Sequence, residues 1–283
     1  MEKFTMNDTT IAFIGLGLIG GSLAKGIKKA RPDIRIMAYM RTRSKLEQAK
    51  KDGIVDVILD GIDEQLKQCD LIFLCTPVEY NAQYLSKIRS YLKPGALITD
   101  VGSTKTDIHK EILRQGLTDC FVGGHPMAGS EKTGYENATD HLLENAYYIV
   151  TPPEGFKQNG CGYGDISLKY SENVKRIIAV AQTVGAIPLV LDYKEHDTVV
   201  AAISHLPHLV ASSLVNLVKD SDSPAETMKQ VAAGGFKDIT RIASSSPEMW
   251  EQICMTNSEP IADMLERYID SLQDILSEIK GHQ

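Results

Sequence analysis

The feature that most constrains the fold is the alternation of short apolar runs with longer helix-like stretches over about the first 150 residues. Most of these runs are continuously apolar, which is typical of parallel strands covered on both faces. Strands that alternate with helices predict an α/β fold with a doubly wound parallel sheet. The predicted strands of this part are residues 11–14, 34–39, 71–75, 97–101, 121–122 and 147–150.

A second region has a different pattern. After a further helix at about 170–183 and a strand at 187–191, every periodic segment from Glu195 onward is helical. We therefore predict an α/β domain over residues 1–192 and an all-α helical domain over residues 193–283. The last helix, at about 260–280, has a broad apolar face that packs within its own domain or forms a homodimer interface. We favour the homodimer, because so few helical residues make a small core.

The turn after the first predicted strand has the sequence GLGLIG over residues 15–20 and opens a helix. In this pattern Gly15 permits a tight bend, Gly17 lets backbone N–H groups approach a pyrophosphate, and Gly20 lets helix and strand pack closely. The helix N-terminus then faces the negative charge. The strand–turn–helix context favours a dinucleotide-binding domain over a turn without a ligand.

The type of dinucleotide is indicated near the end of the second predicted strand, where an Asp or Glu would bind the ribose 2′-hydroxyl of NAD. The chain has Met40 in that position, followed by Arg41 and Arg43. Arginine forms charge-assisted hydrogen bonds with a 2′-phosphate, so NADP is favoured over NAD unless both arginines are only solvated loop residues. The expected cofactor-binding residues are Gly15, Gly17, Leu18, Ile19, Gly20, Arg41, Thr42, Arg43, Thr76 and Pro77.

A second candidate site begins at Gly123 in GGHPMAGSEKTG, which follows a predicted strand at the carboxyl edge of the sheet. Ligands bind at that edge in open α/β folds. His125, between a glycine and a proline, has little reason to fill a core, and an unperturbed imidazole moves protons near neutrality. Ser103 follows another strand at the same edge, where it caps a helix or reaches the imidazole or a nicotinamide.

The helical region carries ISHLPHL at residues 203–209. Pro207 predicts a kink, because it cannot donate to the carbonyl of Ile203. Ser204 and His208 are four residues apart and share a helix face, whereas His205 is expected to point elsewhere. One such histidine would be read as a core residue, but two beside a proline make a functional site more attractive.

The segment GGFKDITR, residues 234–241, adds a basic group to the helical region. Its glycine pair permits close backbone approach, and Arg241 is suited to binding a carboxylate in bidentate fashion. Taken alone, an arginine of this kind is more often a surface salt-bridge partner.

Together GHPMAGSEKTGY, SHLPH and GGFKDITRIA, with Met249-Trp250, resemble the signature set of the prephenate dehydrogenase family over nearly the whole chain. The resemblance implies an NAD(P)-dependent enzyme of tyrosine biosynthesis that oxidises and decarboxylates prephenate to 4-hydroxyphenylpyruvate. It implies that His125 assists deprotonation of the ring hydroxyl, that Ser103 positions His125 and the nicotinamide, and that Arg241 binds a carboxylate. Residues implied to line or gate the substrate pocket are Ser204, His208, Lys237, Ser130 and Glu131.

Three alternative functions stay open. Arogenate oxidation differs only by an amine in place of the side-chain ketone. A 3-hydroxyacid-type dehydrogenase needs a lysine near the hydroxyl, for which Lys105 and Lys132 are the candidates. A non-catalytic nicotinamide-binding sensor would keep the glycine turn, but would not need His125, Ser103 and Arg241 together.

The charge, the cysteine spacing and the apolar runs of the chain indicate which classes of partner to expect. A net charge of -7 argues against nucleic-acid binding but not against an anionic substrate in a cleft. The five scattered cysteines include no CxxC pair, so no metal site is expected. We find no export signal and no apolar run that approaches a bilayer span, and therefore expect a cytoplasmic protein without a membrane partner. The chain ends soon after the helical region, so we expect neither an appended regulatory domain nor a fused mutase, and any tyrosine feedback to act at the active site.

Overall fold

A computed structural model of the chain describes residues 9–130, 132–153 and 171–281. The chain divides into two compact units, residues 1–196 and 197–283. The division falls within one helix, Tyr193–Val200, and the domain boundary predicted after residue 192 lies just before that helix. Among the described residues the first unit has an α/β pattern, and the elements of the second unit are helical.

Strands and helices alternate along the first unit, as the apolar pattern predicts. The strands are β1 (Thr10–Ile14), β2 (Arg35–Tyr39), β3 (Val57–Ile58), β4 (Leu71–Leu74), β5 (Leu97–Asp100), β6 (Gly123–Pro126), β7 (Tyr147–Thr151) and β8 (Ile187–Val190). The helices are α1 (Leu18–Ala30), α2 (Arg43–Lys51), α3 (Val78–Ile88), α4 (Thr106–Gln115) and α5 (Glu172–Thr183), followed by α6 (Tyr193–Val200) at the boundary. The two-residue strand β3 is too short to be seen in the apolar pattern.

Strands β1 to β5 form one parallel sheet in the order β3-β2-β1-β4-β5. Phe13 of β1 pairs with Ala38 of β2 on one side and with Phe73 of β4 on the other. The chain passes from β1 to β2 and β3 on one side, and then crosses to β4 on the other. The connections therefore diverge at the carboxyl end of β1, which is where open α/β sheets bind ligands.

Both faces of this sheet are covered by apolar side chains. Phe13 belongs to one buried apolar cluster with Leu23 of α1, whereas the neighbouring Ile14 belongs to a second cluster with Ile108 of α4. Successive strand residues point to opposite faces, so a sheet covered on both faces needs continuous apolar runs. The doubly wound architecture predicted from those runs is confirmed.

Strands β6, β7 and β8 form a second sheet, in which β6 is antiparallel to β7 and β7 is parallel to β8. The expectation of wholly parallel pairing is therefore wrong for β6. The strand predicted at 121–122 is also misplaced, because Phe121 makes only an isolated bridge and β6 begins at Gly123. His125 consequently lies inside a strand and not in the loop after it. Gly123 and Gly124 have no apolar side chain, so a hydrophobic pattern cannot register them.

The second unit consists of helices joined by short turns. They are α7 (Leu206–Ser221), α8 (Thr227–Val231), α9 (Gly234–Thr240), α10 (Pro247–Thr256) and α11 (Ser258–Gly281). A π-helical turn, Ala201–His205, joins α6 to α7, and Pro207 is the second residue of α7. The sequence predicts a kink at Pro207, and the structure has a widened helical turn just before it. A proline has no N–H to donate, so the regular α-helical hydrogen bonding is interrupted there.

One helical run, Tyr193–Ser221, is long and apolar enough to cross a membrane by length and composition. The expectation that no apolar run approaches that length is therefore wrong. The likeness rests on length and composition alone, and four polar side chains within the run, those of His196, Asp197, His205 and His208, are buried in the chain. The absence of a membrane partner stays a prediction.

Candidate active site

The glycine turn follows β1 directly and leads into α1. Gly15 has a φ of +95°, and a Cβ on it would lie 2.6 Å from the carbonyl oxygen of Cys75. A Cβ on Gly20 would lie 2.7 Å from the Gly15 carbonyl oxygen and 3.1 Å from Cys75 Sγ. The tight bend and the close helix–strand packing that the pattern predicts are both present.

The outer side of the same turn is open. A Cβ on Gly17 would meet no atom beyond its chain neighbours within 4 Å, and no described side chain caps the N-terminus of α1. The first N–H groups of a helix, here from Leu18 and Ile19 onward, have no partner within the helix, and the helix dipole favours negative charge there. The residues present therefore fit the pyrophosphate of a dinucleotide.

Thr76 and Pro77 lie beside this turn, because they follow β4 and β4 is the neighbour of β1. The methyl group of Thr76 would lie 3.2 Å from a Cβ on Gly15. Thr76 Oγ1 donates to Asn81 Oδ1 on α3 at 3.1 Å, which holds the threonine side chain in place. The structure thus brings these two predicted residues to the glycine turn.

The two arginines after β2 differ in their partners. Arg43 forms ion pairs with Asp60 and with Glu47, the latter at 3.5 Å. The guanidinium of Arg41 lies over the ring of Tyr80, 5.4 Å from its centroid, and no described carboxylate pairs with it. Of the two residues, Arg41 therefore has the charge that is less compensated. Thr42, between them, is the exposed N-terminal cap residue of α2.

His125 is held by the pairing of β6 with β7, opposite Ile149. Its imidazole is half-buried, so it is anchored and still reached by solvent. His125 Nδ1 lies 2.8 Å from Nε2 of His196, with the ring planes at 66°. A histidine held within a strand, with one ring nitrogen hydrogen-bonded and part of the ring accessible, is suited to proton transfer.

His196 is a site residue that the sequence reasoning missed. It is fully buried in α6, on the same side as the buried Tyr193 and Val200. The available signal was a histidine at a position where the helical period predicts an apolar residue. Without a known neighbour, such a histidine is read as core packing.

The loop that carries Ser103 is tied to β6 by a buried ion pair. Lys105 Nζ bonds to the Asp100 carboxylate and, at 2.8 Å, to the carbonyl oxygen of Gly124. The same carboxylate accepts from the N–H groups of Gly102 at 2.9 Å and Gly124 at 3.2 Å. Ser103, which is half-buried, is thereby attached through its loop to the residue that precedes His125.

This pair also bears on the 3-hydroxyacid alternative. Lys105, one of its two candidate lysines, has no exposed side-chain surface, and its ammonium group binds Asp100. The other candidate, Lys132, is exposed, and its backbone N–H donates to Ser130 Oγ at 3.0 Å. Ser130 is itself exposed in this turn, and Glu131 lies outside the described residues. Lys105 is thus used in packing, which disfavours that alternative.

In the second unit, His208 is buried against Trp250. The two rings are parallel, with centroids 3.5 Å apart. His208 Nδ1 donates to the carbonyl oxygen of Ile242 at 3.1 Å, and Nε2 lies 3.4 Å from Ser212 Oγ. Burial lowers the pKa of His208 below its ordinary value of 6.5, and the Ile242 carbonyl opposes this in part. The imidazole is therefore neutral at pH 7.

Ser204 and His205 lie in the π-helical turn. Ser204 is half-buried, whereas His205 is buried. His205 Nδ1 lies 3.1 Å from Asn257 Nδ2, and the His205 ring is nearly perpendicular to that of Trp250, with centroids 6.0 Å apart. The expectation that His205 points away from the surroundings of His208 is wrong, because both rings contact Trp250. The regular four-residue spacing assumed an α-helix, and the π-turn changes the angle between successive side chains.

Lys237 and Arg241 are both exposed, Lys237 on α9 and Arg241 at the start of the 3-10 turn that follows. No described carboxylate pairs with either side chain. A Cβ on Gly234 or Gly235 would meet no atom within 4 Å, so packing among the described residues does not require glycine there. The two cations are therefore presented outward on their own unit.

Comparison with known proteins accounts for both units. A model of the prephenate dehydrogenase nucleotide-binding domain matches residues 23–160. A model of the prephenate dehydrogenase dimerization domain matches residues 192–283. The chain belongs to the prephenate dehydrogenase family.

Individual relatives agree with this family. A prephenate dehydrogenase from Bacillus subtilis is 38% identical over 270 residues, which cover 94% of this chain and 69% of the relative. The crystal structure of prephenate dehydrogenase from A. aeolicus in complex with hydroxyphenyl propionate and NAD+ superposes with a TM-score of 0.86 at 30% identity, covering 98% of this chain and 93% of that one. Synechocystis arogenate dehydrogenase gives a TM-score of 0.81 at 30% identity, with coverage of 97% and 93%.

As a member of the prephenate dehydrogenase family, the chain is an NAD(P)-linked oxidoreductase, and its candidate residues fall into separate groups. The first unit gathers the glycine turn with Thr76, and His125 with His196 and the loop of Ser103. The second unit gathers His205 and His208 around Trp250 and leaves Arg241 exposed. Within the described ranges, no three His, Cys, Asp or Glu side chains are grouped so that they could hold a metal ion.

Proposed function

We propose that the protein oxidises and decarboxylates prephenate to 4-hydroxyphenylpyruvate, a step of tyrosine biosynthesis, with NAD(P) as the hydride acceptor. The observation that carries the proposal is the half-buried imidazole of His125 on β6, a strand whose preceding residue, Gly124, is hydrogen-bonded to Asp100 and Lys105 beside the loop of Ser103. In a member of this family, a fixed base beside the carboxyl edge of the sheet suits the oxidation of a ring alcohol.

His125 is the general base of the proposed reaction. Because Nδ1 is hydrogen-bonded to His196, we assign the proton transfer from the substrate hydroxyl to Nε2. Ser103 would hold the hydroxyl and the imidazole in line, since its loop is attached to the residue before His125. A positioned base of this kind contributes about 10²- to 10⁴-fold to a rate.

The remaining steps follow from the substrate. The ring carbon that bears the hydroxyl loses a hydride, for which a bound oxidised nicotinamide supplies the acceptor. The carboxylate on the opposite ring carbon leaves as carbon dioxide, and the electron pair of the broken bond completes the aromatic ring. The proton held by His125 then returns to the phenolate oxygen.

Substrate binding is assigned to polar residues of both units. Prephenate is a dianion, and Arg241 presents a guanidinium that no described carboxylate neutralises. Lys237, also exposed, would add to the positive field. Ser204, His208, Ser130 and Glu131 complete the proposed set of substrate-binding residues, with Glu131 outside the described part of the chain.

We assign a preference for NADP over NAD to Arg41. Support comes from Met40 in the position of the usual acid, and from the uncompensated guanidinium of Arg41 beside Tyr80. Arg43 contributes less, because Asp60 and Glu47 already bind it. The proposed contacts of Leu18, Ile19 and Thr42 with the cofactor are backbone contacts near the same turns.

We also assign a homodimer formed through the helical unit. Apart from Ile261, the large apolar residues of α11 are only partly covered or exposed in the single chain. The match to a dimerization domain supports this assignment. The predicted cytoplasmic location is consistent with the bacterial relatives and stays a prediction.

One experiment tests the function. The purified protein is incubated with prephenate or arogenate, each with NAD or NADP, and absorbance of the reduced cofactor is followed alongside product analysis. We expect the fastest reduction with prephenate and NADP, and an Arg41→Ala variant that loses the advantage of NADP without losing activity with NAD. No reduction in any of the four mixtures would reject the enzymatic proposal.

Arogenate is the second candidate substrate. The observation in its favour is that Synechocystis arogenate dehydrogenase matches this chain at the same 30% identity as the A. aeolicus prephenate dehydrogenase. Faster turnover of arogenate than of prephenate in the assay above would establish it.

A further inference from the structure

His196, the hydrogen-bond partner of His125, has no role in the proton and hydride transfers of the proposed reaction. His196 has no exposed surface, and its Nε2 lies 2.8 Å from Nδ1 of His125. Buried polar groups are expensive unless they are hydrogen-bonded, so a histidine at an apolar helix position needs a partner. The hydrogen bond to His125 provides one partner for its ring.

Only one proton lies between the two nitrogens when both rings are neutral. If His125 is to accept a proton on Nε2, its own proton must be on Nδ1 and must point to His196. His196 Nε2 then has to be the acceptor, which places the proton of His196 on its Nδ1. The two tautomers are therefore coupled through this contact.

The contact strengthens when His125 takes up the substrate proton. The imidazolium of His125 keeps its Nδ1–H toward a neutral acceptor nitrogen, and a hydrogen bond from a charged donor is about twice as strong as a neutral one. A neutral acceptor in this position gives such stabilisation without adding a second buried charge. This differs from a carboxylate partner, which would need compensation of its own.

The helical turn that carries His196 is held in place by its own backbone and by contacts of a neighbouring residue: the His196 N–H donates to the Asp192 carbonyl oxygen at 2.8 Å, and Tyr193 packs on α4. Buried titratable groups in this part of the molecule are Tyr193 and Asp197 on α6 itself, His109 on α4, and Asp100 and Lys105. His109 of α4 stacks on Tyr193 at 4.4 Å and lies 2.9 Å from Thr151 Oγ1. Asp100 and Lys105 bind each other and Gly124, the residue before His125. Tyr193, one turn before His196 on α6, is thereby packed against α4.

We propose that His196 is a positioning residue for His125: it accepts the Nδ1–H of His125, sets the tautomer that leaves Nε2 as the base, and stabilises the imidazolium formed during turnover. The proposal rests on the function proposed above. It acts through His125 alone, so binding of the nicotinamide cofactor should not depend on it.

The test compares three substitutions of His196. In His196→Gln the amide oxygen reaches the position of Nε2 and can still accept from His125. In His196→Asn the shorter side chain stays polar but withdraws from that position, and His196→Leu removes the polar group. For each variant kcat, the KM values, the pH profile of kcat/KM and the dissociation constant of the cofactor are measured.

We expect His196→Leu and His196→Asn to lose about 10- to 100-fold in kcat, the effect of one charge-assisted hydrogen bond. The acid limb of kcat/KM should move down by about one pH unit or more, because a less stabilised imidazolium loses its proton at lower pH. His196→Gln should recover most of kcat and of the pH profile, and cofactor binding should be unchanged in all three.

A role in packing alone predicts a different result. In that case all three variants would lose thermal stability, the acid limb would not move, and Gln would rescue no better than Asn. That pattern, or unchanged kcat throughout, would overturn the proposal.

A second measurement separates this proposal from the proposed function. The imidazole nitrogens are followed by NMR in protein labelled with ¹⁵N-histidine, with His125→Asn used to assign the His125 signals. A fall in the pKa of His125 in His196→Leu but not in His196→Gln would uphold the positioning role even if no tested substrate were oxidised. An unchanged pKa in both variants would reject it.

Discussion

The two units of the chain differ in how far they bury their apolar side chains. In the first unit the strands of the five-stranded sheet carry side chains that are almost all buried, in two clusters on the two sheet faces. In the second unit few apolar side chains are buried, and most of the large apolar residues that stay exposed belong to it. These exposed residues include Ile203, Leu217, Val231, Ile239, Met255, Ile269, Leu272, Ile275, Leu276 and Ile279.

The two units therefore complete their cores in different ways. The first unit covers both sheet faces with its own helices, so its core is closed within one chain. The second unit leaves a row of large apolar side chains of α11 exposed, which is typical of a surface that packs against another chain. A match to a dimerization domain over residues 192–283 agrees with that reading.

The largest effect is expected at His125, the proposed general base in the first unit. His125→Asn keeps a polar side chain on β6 but cannot accept the substrate proton, so kcat should fall by about 10²- to 10⁴-fold. Because the glycine turn is untouched, the dissociation constant for NADP measured by fluorescence should stay unchanged. Turnover at the original rate would remove His125 from the mechanism.

The closed core of the first unit should depend on its buried ion pair. Lys105→Met leaves the Asp100 carboxylate buried without its cation, which costs about 3–5 kcal/mol in similar pairs. Urea unfolding of the first unit should therefore begin at a clearly lower concentration. Lys110→Met, which removes an exposed lysine 3.9 Å from Asp107, is the control and should change the free energy of unfolding by less than about 1 kcal/mol. Equal effects of the two variants would contradict the assignment.

A smaller and different effect is expected from the exposed arginine of the second unit. Arg241→Gln would remove the charge-assisted hydrogen bond that we propose to the substrate, so the KM for prephenate should rise about 10- to 100-fold with little change in kcat. The first unit is unaltered, and the KM for the cofactor should not move. A fall in kcat at constant KM would mean that Arg241 acts in the transition state instead of in binding.

A single charged substitution tests whether the exposed apolar stripe of α11 forms the dimer interface. Leu276→Glu places a carboxylate in the exposed apolar stripe of α11, and burial of a leucine contributes about 1.5–3 kcal/mol. The dimer dissociation constant measured by analytical ultracentrifugation should rise about tenfold or more. Ser277→Glu, at the neighbouring exposed polar position, is the matched control. A dimer that tolerates both changes does not use this stripe.

The smallest effect is spectroscopic and belongs to the second unit alone. Trp250 is the single tryptophan, and His208 stacks on it with a lowered pKa. A protonated imidazole quenches an adjacent indole, so fluorescence should fall on acidification with a midpoint below pH 6.5. His208→Gln should abolish the transition, whereas His205→Gln should leave it in place. A midpoint at or above 6.5 would contradict the effect of burial.

The same lowered pKa has a consequence for stability. Between the folded pKa of His208 and its ordinary value of 6.5, the unfolded chain binds more protons than the folded one. The neutral, buried imidazole of His208 therefore makes its full contribution to the free energy of unfolding of the second unit above pH 6.5. That contribution is lost as the pH falls through the folded pKa of His208.

Much of the first unit could be predicted from the sequence, because its signals are local. Continuous apolar runs show strands that are covered on both faces, and the glycine spacing of residues 15–20 shows a turn between a strand and a helix. The errors fall where local signals are weak. Strand β6 begins with two glycines that carry no apolar side chain, and β3 has only two residues. The antiparallel pairing of β6 depends on β7, which lies more than twenty residues further along the chain.

The α/β order of the first unit, the helical nature of the second, the family, and the candidate residues His125, Ser103 and Arg241 could thus be predicted from the amino-acid sequence. Three contacts are visible only in the folded structure. Lys105 forms an ion pair with Asp100, His205 and His208 both contact Trp250, and His196 is hydrogen-bonded to His125. The physical reason is range. Periodicity and turn chemistry act between near neighbours, whereas a hydrogen bond between residues 125 and 196 exists only after strands and helices distant in the chain have packed together.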